Sequence, residues 1–451
     1  MGLMQLRYFG TDGIRGTFGE PPMDLPFLRR VGYALAQHLK LRHPGRLKLV
    51  AGRDPRVSGP AILDALTEGL RVAGHQVLDC GIVPTPAVPE YVQECHADFG
   101  VMVTASHNPP GDNGVKFFDH NGLKLDPAVE AEIEAWIDRV HAPAAAPALA
   151  PLEIADALES YQLRRATLLP PHGLAGWVIA VDCGYGATCA TTPAVLRRLG
   201  ADVRTRAAEP DGARINTDAG SEHPEHLAGL VRQVGARLGI AHDGDGDRLV
   251  VCDETGALVD GDEILGLLAL HMLRQGALKQ GVVVATVQSN MGLDQAVTTA
   301  GGRVVRVNVG DRNVLHKLLE LGAVLGGENS GHYIFPEISR CGDGLLAALQ
   351  IARVMRETGK PLSELRREIP LLPQLTANLR VQTKKPLEEL RLFGEARRAA
   401  ETTLRGRGRV LARYSGTEKK LRLLVEGPES EELARLLAAL TRAATQELGA
   451  G

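Results

Sequence analysis

WVIAVDCGYGATCATTPAVLRRLGADVRT, Trp177 to Thr205, decides the fold. An apolar β-type run (Trp177 to Asp182) gives way to a polar, glycine-bearing loop. A helix-like stretch follows through Val195 and Leu199 and ends on Gly200, and apolar residues return at Val203. A glycine just past a helix suits the left-handed cap there. Near-continuous apolar strands joined through a helix are parallel strands covered on both faces. The pattern occurs twice more. LKLVAG (Leu47 to Gly52) leads through Leu66 and Leu70 to Gly74 and Val77, and VVVATV (Val282 to Val287) leads through Ala296 to Gly301 and Val304. Three copies of one βαβ pattern predict three similar α/β domains with mixed, mainly parallel sheets.

The chain's 451 residues suffice for three or four domains of roughly 100–150 residues. HAPAAAPALAP (His141 to Pro151) is rich in Pro and Ala and reads as a connection between the first and second. A second break is expected between the strand Leu249 to Asp253 and a helix starting near Asp262. A third is expected around Ile369 to Pro373, where prolines interrupt the helical pattern. The remainder differs: a strand (Val410 to Tyr414), an SGTE turn, a strand (Leu421 to Glu426) and a helix from about Ser430 to Leu448. It reads as a smaller α+β C-terminal domain with antiparallel pairing. The expected domains are therefore 1–150, 151–256, 257–369 and 370–451.

Hydrophobic residues make up 44% and charged residues 23%, which excludes disorder as the main state. With aromatics at 4%, the cores must be built of Ala, Leu and Val. A net charge of -3 and the lack of a basic block argue against a nucleic-acid partner. No apolar run approaches a bilayer-crossing length, so no membrane partner is expected. The six cysteines are dispersed without a CxxC pair and read as reduced thiols of a cytoplasmic protein.

GIAHDGDGDRLVVCD (Gly239 to Asp253) carries the most chemistry. Asp243, Asp245 and Asp247 alternate with Gly244 and Gly246. Three carboxylates so close repel unless a cation sits among them, and the glycines let the backbone aim all three at one point. Hard oxygen ligands select Mg²⁺ or Ca²⁺ over zinc. An EF-hand would share the first three ligand positions, but Arg248 stands where it needs glycine and the flanks look like strands. A solvated acidic turn is the bland alternative. Three carboxylates leave a Mg²⁺ site incomplete, and phosphate or water usually completes it. No G-x-x-x-x-G-K-[ST] loop is present, and Gly184-Tyr185-Gly186 lacks the third glycine of a dinucleotide loop.

VMVTASHNPPGDNGVKFF (Val101 to Phe118) supplies the better phosphate source. A buried strand, Gly100 to Thr104, delivers Ser106 at its C-terminal end, where α/β sheets place reactive groups. Neighbouring side chains in an extended segment point apart, so His107 is expected to be a poor base for Ser106, and no G-x-S-x-G elbow is present. A serine that itself carries phosphate fits better, supplying charge and an oxygen to the metal.

Five motifs then fall in order: FGTDGIRG (Phe9 to Gly16), TASHNP (Thr104 to Pro109), DGDGDR (Asp243 to Arg248), GENSGH (Gly327 to His332) and RYSGTE (Arg413 to Glu418). Together they identify the chain as resembling the α-D-phosphohexomutase superfamily, and within it the bacterial enzymes acting on glucosamine phosphates. The resemblance implies four domains, three alike and one smaller. It implies interconversion of glucosamine 6-phosphate and glucosamine 1-phosphate, feeding UDP-N-acetylglucosamine synthesis. The nearest alternative is action on glucose and mannose phosphates. By the same resemblance Ser106 is the phosphoserine, and Asp243, Asp245 and Asp247 hold one Mg²⁺ per chain with Ser106 completing the site. Arg15 and Arg248 stabilise the transferring group. Lys116 is the candidate acid or base and His332 a second one. Glu328 and Ser330 read the sugar, with Asn329 in the glucosamine-type wording. Arg413, Ser415, Gly416, Thr417 and Arg422 grip the non-reacting phosphate. Glucosamine 1,6-bisphosphate or glucose 1,6-bisphosphate is the implied intermediate or activator, sugar phosphates are the partners, and a homodimer is allowed because relatives form them. Lys419 departs from the pattern, standing where the family usually has proline.

Overall fold

The computed structural model describes residues 6–10, 12–42, 45–142, 149, 152–415 and 419–449. The three repeated segments form three sheets of one topology. In each, the first repeat strand lies centrally: Lys48–Arg53, Val178–Asp182 and Val282–Thr286. On one side it pairs in parallel with the strand that follows the glycine, Gln76–Ile82, Asp202–Arg206 or Arg303–Val307. On the other side it pairs in parallel with Phe99–Val103, Leu238–Ala241 or Gly326–Gly327. That third strand then turns back into an antiparallel partner, Asp112–Asp119, Val250–Cys252 or Tyr333–Ile334. The first sheet gains Ile14–Thr17 and Glu153–Ile154 at its edges, and the second gains Leu258–Val259.

The central strands are buried along their length because helices cover both faces. Val283, Ala285 and Ile179 join Val50, Met102 and Leu346 in one hydrophobic cluster that runs through all three α/β units. Helix stops fall where the residues demand: Gly235, Gly322 and Gly359 each follow a helix with φ near +60° to +70°. Among the described residues, no helix is long and apolar enough to cross a membrane.

The C-terminal unit has a separate core, with Phe393, Leu421, Val425, Leu433 and Leu440 at its centre. Its sheet is antiparallel, in the order Gln374–Arg380, Lys420–Glu426, Arg409–Tyr414. Two of its elements were not expected from the sequence, the strand Gln374–Arg380 and the helix Arg391–Thr403. The strand buries no side chain fully, and the helix fully buries only Phe393 and Ala400. Contacts to the third sheet continue through the residues before this unit. Ile369 packs at Gly266, and the Asn290 side chain holds both the N–H and the carbonyl of Leu372 at 2.9 Å. These contacts tie the chain as far as residue 372 to the third sheet.

Candidate active site

The shared topology brings three of the five motifs together. In each α/β unit the loop between the third parallel strand and its antiparallel partner carries one motif: Ser106, the Asp243–Asp247 run, and Glu328–His332. These loops lie at the carboxyl ends of parallel strands, where open α/β sheets bind ligands.

Ser106 is 2% exposed and its backbone is left-handed, with φ +52°. For a residue with a Cβ such a conformation costs about 1–3 kcal/mol. It aims Oγ across the boundary between the first two units, where the hydroxyl donates to Asp243 Oδ2 at 2.6 Å. It also corrects the sequence expectation for His107. The segment is not extended at Ser106, and His107 Nδ1 lies 3.3 Å from Ser106 Oγ. Burial, helped by Arg248 and Arg15, lowers His107 to about 4, so its imidazole is neutral.

Asp243, Asp245 and Asp247 are all buried, and one oxygen from each lies within 4.8 Å of the others. Gly244 lets this loop approach that of Ser106, since a Cβ there would meet the Ser106 carbonyl oxygen at 2.7 Å. Gly246 turns the loop at φ +72°. His242 pins it from behind, with Nδ1 3.1 Å from the Arg248 carbonyl and Nε2 3.0 Å from Thr192 Oγ1. Burial, with Asp245 and Asp247 adding to it, pushes Asp243 up to about 8. Asp245 Oδ1 is buried without a hydrogen bond. Crowded acids with an orphaned oxygen fit a cation held among them, and an all-oxygen donor set favours a hard one.

The expected basic residues, with Lys124 in addition, surround this cluster. Lys116 Nζ donates to Asp245 Oδ2 at 2.8 Å and Asp247 Oδ2 at 2.7 Å, with Asp12 at 3.5 Å. Burial opposes its charge, but Asp12, Asp245 and Asp247 outweigh burial and hold it well above the ordinary lysine range. His332 Nε2 is 3.0 Å from Asp247 Oδ1, and Nδ1 is 3.7 Å from Glu328 Oε2. Arg248 Nε lies 4.0 Å from Asp243. Arg15 pairs with Asp12 at 2.5 Å and reaches the Ala105 carbonyl. Lys124 bridges Asp12 to Asp311 of the third unit, at 2.6 Å from the latter.

Most of the remaining predicted residues come from the separately cored last unit. Arg413 and Arg422 face each other in register across two antiparallel strands. Like charges so placed destabilise a sheet unless an anion lies between them. Nε and Nη2 of Arg413 are buried without a hydrogen bond, and burial together with Arg422 lowers its pKa. Ser415 is buried, with its carbonyl on Lys384 Nζ at 2.6 Å. Glu328 accepts from the Gly310 N–H at 2.9 Å, while Ser330 is exposed. Gly416 and Thr417 lie outside the described residues.

Sequence reasoning missed Asp54, Arg56, Thr85, Asp12 and Asn216. Thr85 donates to Asp245 Oδ2 at 2.5 Å. Asn216 reaches the Ser106 and Asn108 carbonyls at 2.8 and 3.0 Å. GRDPR (Gly52 to Arg56) ends the strand beside that of Ser106, and that position was the available signal.

Comparison with known proteins bears on this arrangement. The models for phosphoglucomutase/phosphomannomutase alpha/beta/alpha domains I, II and III match residues 6–143, 165–256 and 260–371, and the C-terminal domain model matches 377–443. A phosphoglucosamine mutase of Moorella thermoacetica is 46% identical over 444 residues, covering 97% of this chain and 99% of that protein. One of Nitratidesulfovibrio vulgaris is 43% identical over 451 residues, covering 99% and 100%. A solved phosphoglucomutase/phosphomannomutase family protein of Burkholderia thailandensis superposes with a TM-score of 0.80 at 25% identity, covering 98% of each chain.

Proposed function

The chain belongs to the phosphoglucomutase/phosphomannomutase family, and from that premise we infer that it interconverts glucosamine 6-phosphate and glucosamine 1-phosphate through a phosphorylated Ser106. One observation carries the reading: Ser106 Oγ of the first unit meets Asp243 of the second at 2.6 Å, beside two further buried acids. Glucosamine is favoured over glucose or mannose by the name the 41–46% identical relatives carry and by Asn329 in ENSGH.

Phosphoryl transfer needs alignment and compensated charge more than covalent help. The substrate's existing phosphate rests against Arg413, Ser415, Gly416, Thr417 and Arg422, and Glu328 and Ser330 read its hydroxyls. The free sugar oxygen attacks phosphorus, the bond from phosphorus to Ser106 Oγ breaks, and a 1,6-bisphosphate forms. After that bisphosphate reorients, Ser106 Oγ takes the other phosphoryl group and the isomeric monophosphate leaves. Each transfer moves one proton off the attacking hydroxyl and one onto the departing oxygen; Lys116 and His332 are the groups proposed for this traffic. Arg15 and Arg248 offset charge on the transferring group, and losing either is expected to cost on the order of 10²–10³ in kcat. A Mg²⁺ held by Asp243, Asp245, Asp247 and an oxygen on Ser106 would supply Lewis acidity when bound.

Intact-mass spectrometry tests the covalent step. Incubated with glucose 1,6-bisphosphate, the wild-type chain is expected to gain one phosphoryl group and Ser106→Ala none, with the variant folded and inactive. An unphosphorylated wild type, or a turning-over Ser106→Ala, would overturn the reading. Release of inorganic phosphate in place of the isomeric product would make the protein a phosphatase. Comparing kcat/KM for glucosamine, glucose and mannose phosphates tests the sugar.

A further inference from the structure

Arg56 is one of the largest fully buried side chains in the molecule, 1% exposed, and nothing in the phosphoryl-transfer scheme uses it. A guanidinium has five N–H donors. Here Nε donates to Asp54 Oδ2 at 3.0 Å. Nη1 donates to the carbonyls of Pro109 and Asp112, the latter at 2.8 Å. Nη2 donates to the carbonyls of Ser106 at 3.0 Å and Asn108 at 2.8 Å. All five are spent and none remains for a phosphate. Three go to the backbone of the loop that carries Ser106 and one to Asp112, the first residue of the strand after it.

The same network reaches Ser106 from its other side. Asp54 Oδ2 accepts the Thr104 hydroxyl at 2.7 Å, and Thr104 Oγ1 accepts the Ser106 N–H at 2.8 Å. Both the N–H and the carbonyl of Ser106 are therefore fixed through Arg56 and Asp54, with Asn216 seconding the carbonyl. Ser106 is the residue with φ +52°, a conformation it would leave without outside restraint. Relaxation of that φ would swing Oγ away from Asp243.

We propose that Arg56, acting through Asp54 and Thr104, is a positioning residue that holds Ser106 in the left-handed conformation from which its hydroxyl meets the acidic triad. The inference rests on the mutase reading, because the cost of mispositioning is read through phosphoryl transfer. Lysine cannot replace Arg56, since its three donors leave one point and cannot span four carbonyls and a carboxylate.

The test uses Arg56→Lys, Thr104→Val and Thr104→Ser in the full chain, each checked for folding by circular dichroism. Two quantities are read: steady-state kcat and KM, and the single-turnover rate of transfer from glucose 1,6-bisphosphate to Ser106. Arg56→Lys and Thr104→Val are expected to lose on the order of 10–100-fold in both rates, with KM held within about threefold, because the sugar phosphate is gripped elsewhere. Thr104→Ser keeps the bridging oxygen and is expected to recover most of the loss. Should Arg56→Lys fail to fold, the threonine pair decides. Equal transfer rates for Thr104→Val and Thr104→Ser, or a loss confined to KM, would overturn the proposal. A wild type that accepts no phosphoryl group would instead overturn the mutase reading.

Discussion

A methyl group on Gly244 would sit 2.7 Å from the Ser106 carbonyl oxygen and 2.7 Å from Ile215 Cδ1. The isoleucine can rotate, but the carbonyl is held by Arg56 and Asn216. Gly244→Ala should therefore part the two loops. A loss of about 1–3 kcal/mol in stability from overpacking is expected, with a fall in kcat of roughly 10–100-fold. Urea unfolding and steady-state assays check it, and a variant with wild-type kcat would refute the idea that loop contact sets the geometry. At this scale the sequence tells which residue types can do the chemistry. The spacing of the three acids alone pointed to a cation, whereas Ser106 was one candidate in a polar turn and its role came with the resemblance. The orientation of His107 could not, because it depends on the backbone angle at Ser106. The burial of Arg56 could not be read either, since the carbonyls that satisfy it belong to a loop about fifty residues away, and only its place at the end of the strand beside that of Ser106 hinted at it.

The helix Gly261–Arg274 opens on a capping box made by Asp260 and Glu263, and it also buries a second acid, Asp262. Asp262 accepts the Asn290 N–H at 2.7 Å. Burial, with Asp260 adding and Arg306 opposing, pushes it up from 3.8 to about 6. A raised carboxyl favours the protonated folded state. Its contribution is thus fully present below about pH 4 and is lost as pH rises through about 6. A shift of roughly two units amounts to about 2–3 kcal/mol. Asp262→Asn cannot ionise, so its stability relative to wild type should rise by about that much between pH 4 and pH 8, whatever constant offset the amide introduces. Denaturant melts at both pH values measure it, and a pH-independent difference would mean Asp262 titrates normally. Elements were legible where burial is strong and continuous, as in the three central strands. They were not legible where little is buried: Gln374–Arg380 alternates Leu375, Ala377 and Leu379 with polar residues, but the run is short and none of its side chains is fully buried.

At the scale of the whole molecule, the repeat predicted one arrangement used three times. The meeting of the three loops follows from it, since equivalent loops of similar sheets packed on one core face a common cleft. How the last unit sits against that cleft was not legible, because docking rests on a few polar contacts distant in sequence. Arg409 Nε donates to the buried Glu426 Oε2 at 2.6 Å and Nη1 to the Val287 carbonyl at 2.9 Å, while the Met291 N–H donates to Glu426 Oε1 at 2.6 Å. This ion pair lies beside Pro373, whose carbonyl accepts the Gly427 N–H at 3.2 Å. The Arg413–Arg422 pair lies further along the same strands. A turn about the Arg409–Glu426 contact would carry those arginines toward or away from the cleft while the separate core of the last unit stays intact. A bisphosphate that must present first one end and then the other to Ser106 needs such opening. Bound glucose 1,6-bisphosphate is accordingly expected to protect the Pro370–Gln374 segment from limited proteolysis and to lower the radius of gyration in solution scattering. Arg409→Ala leaves the buried Glu426 without its charged partner, at a cost of up to about 3 kcal/mol to docking. Its KM for sugar phosphate should rise more than its kcat falls, because the cradle is misplaced and the serine is not. Equal proteolysis with and without bisphosphate, together with an unchanged KM in Arg409→Ala, would mean that the last unit is fixed and that the intermediate turns over inside a static cleft.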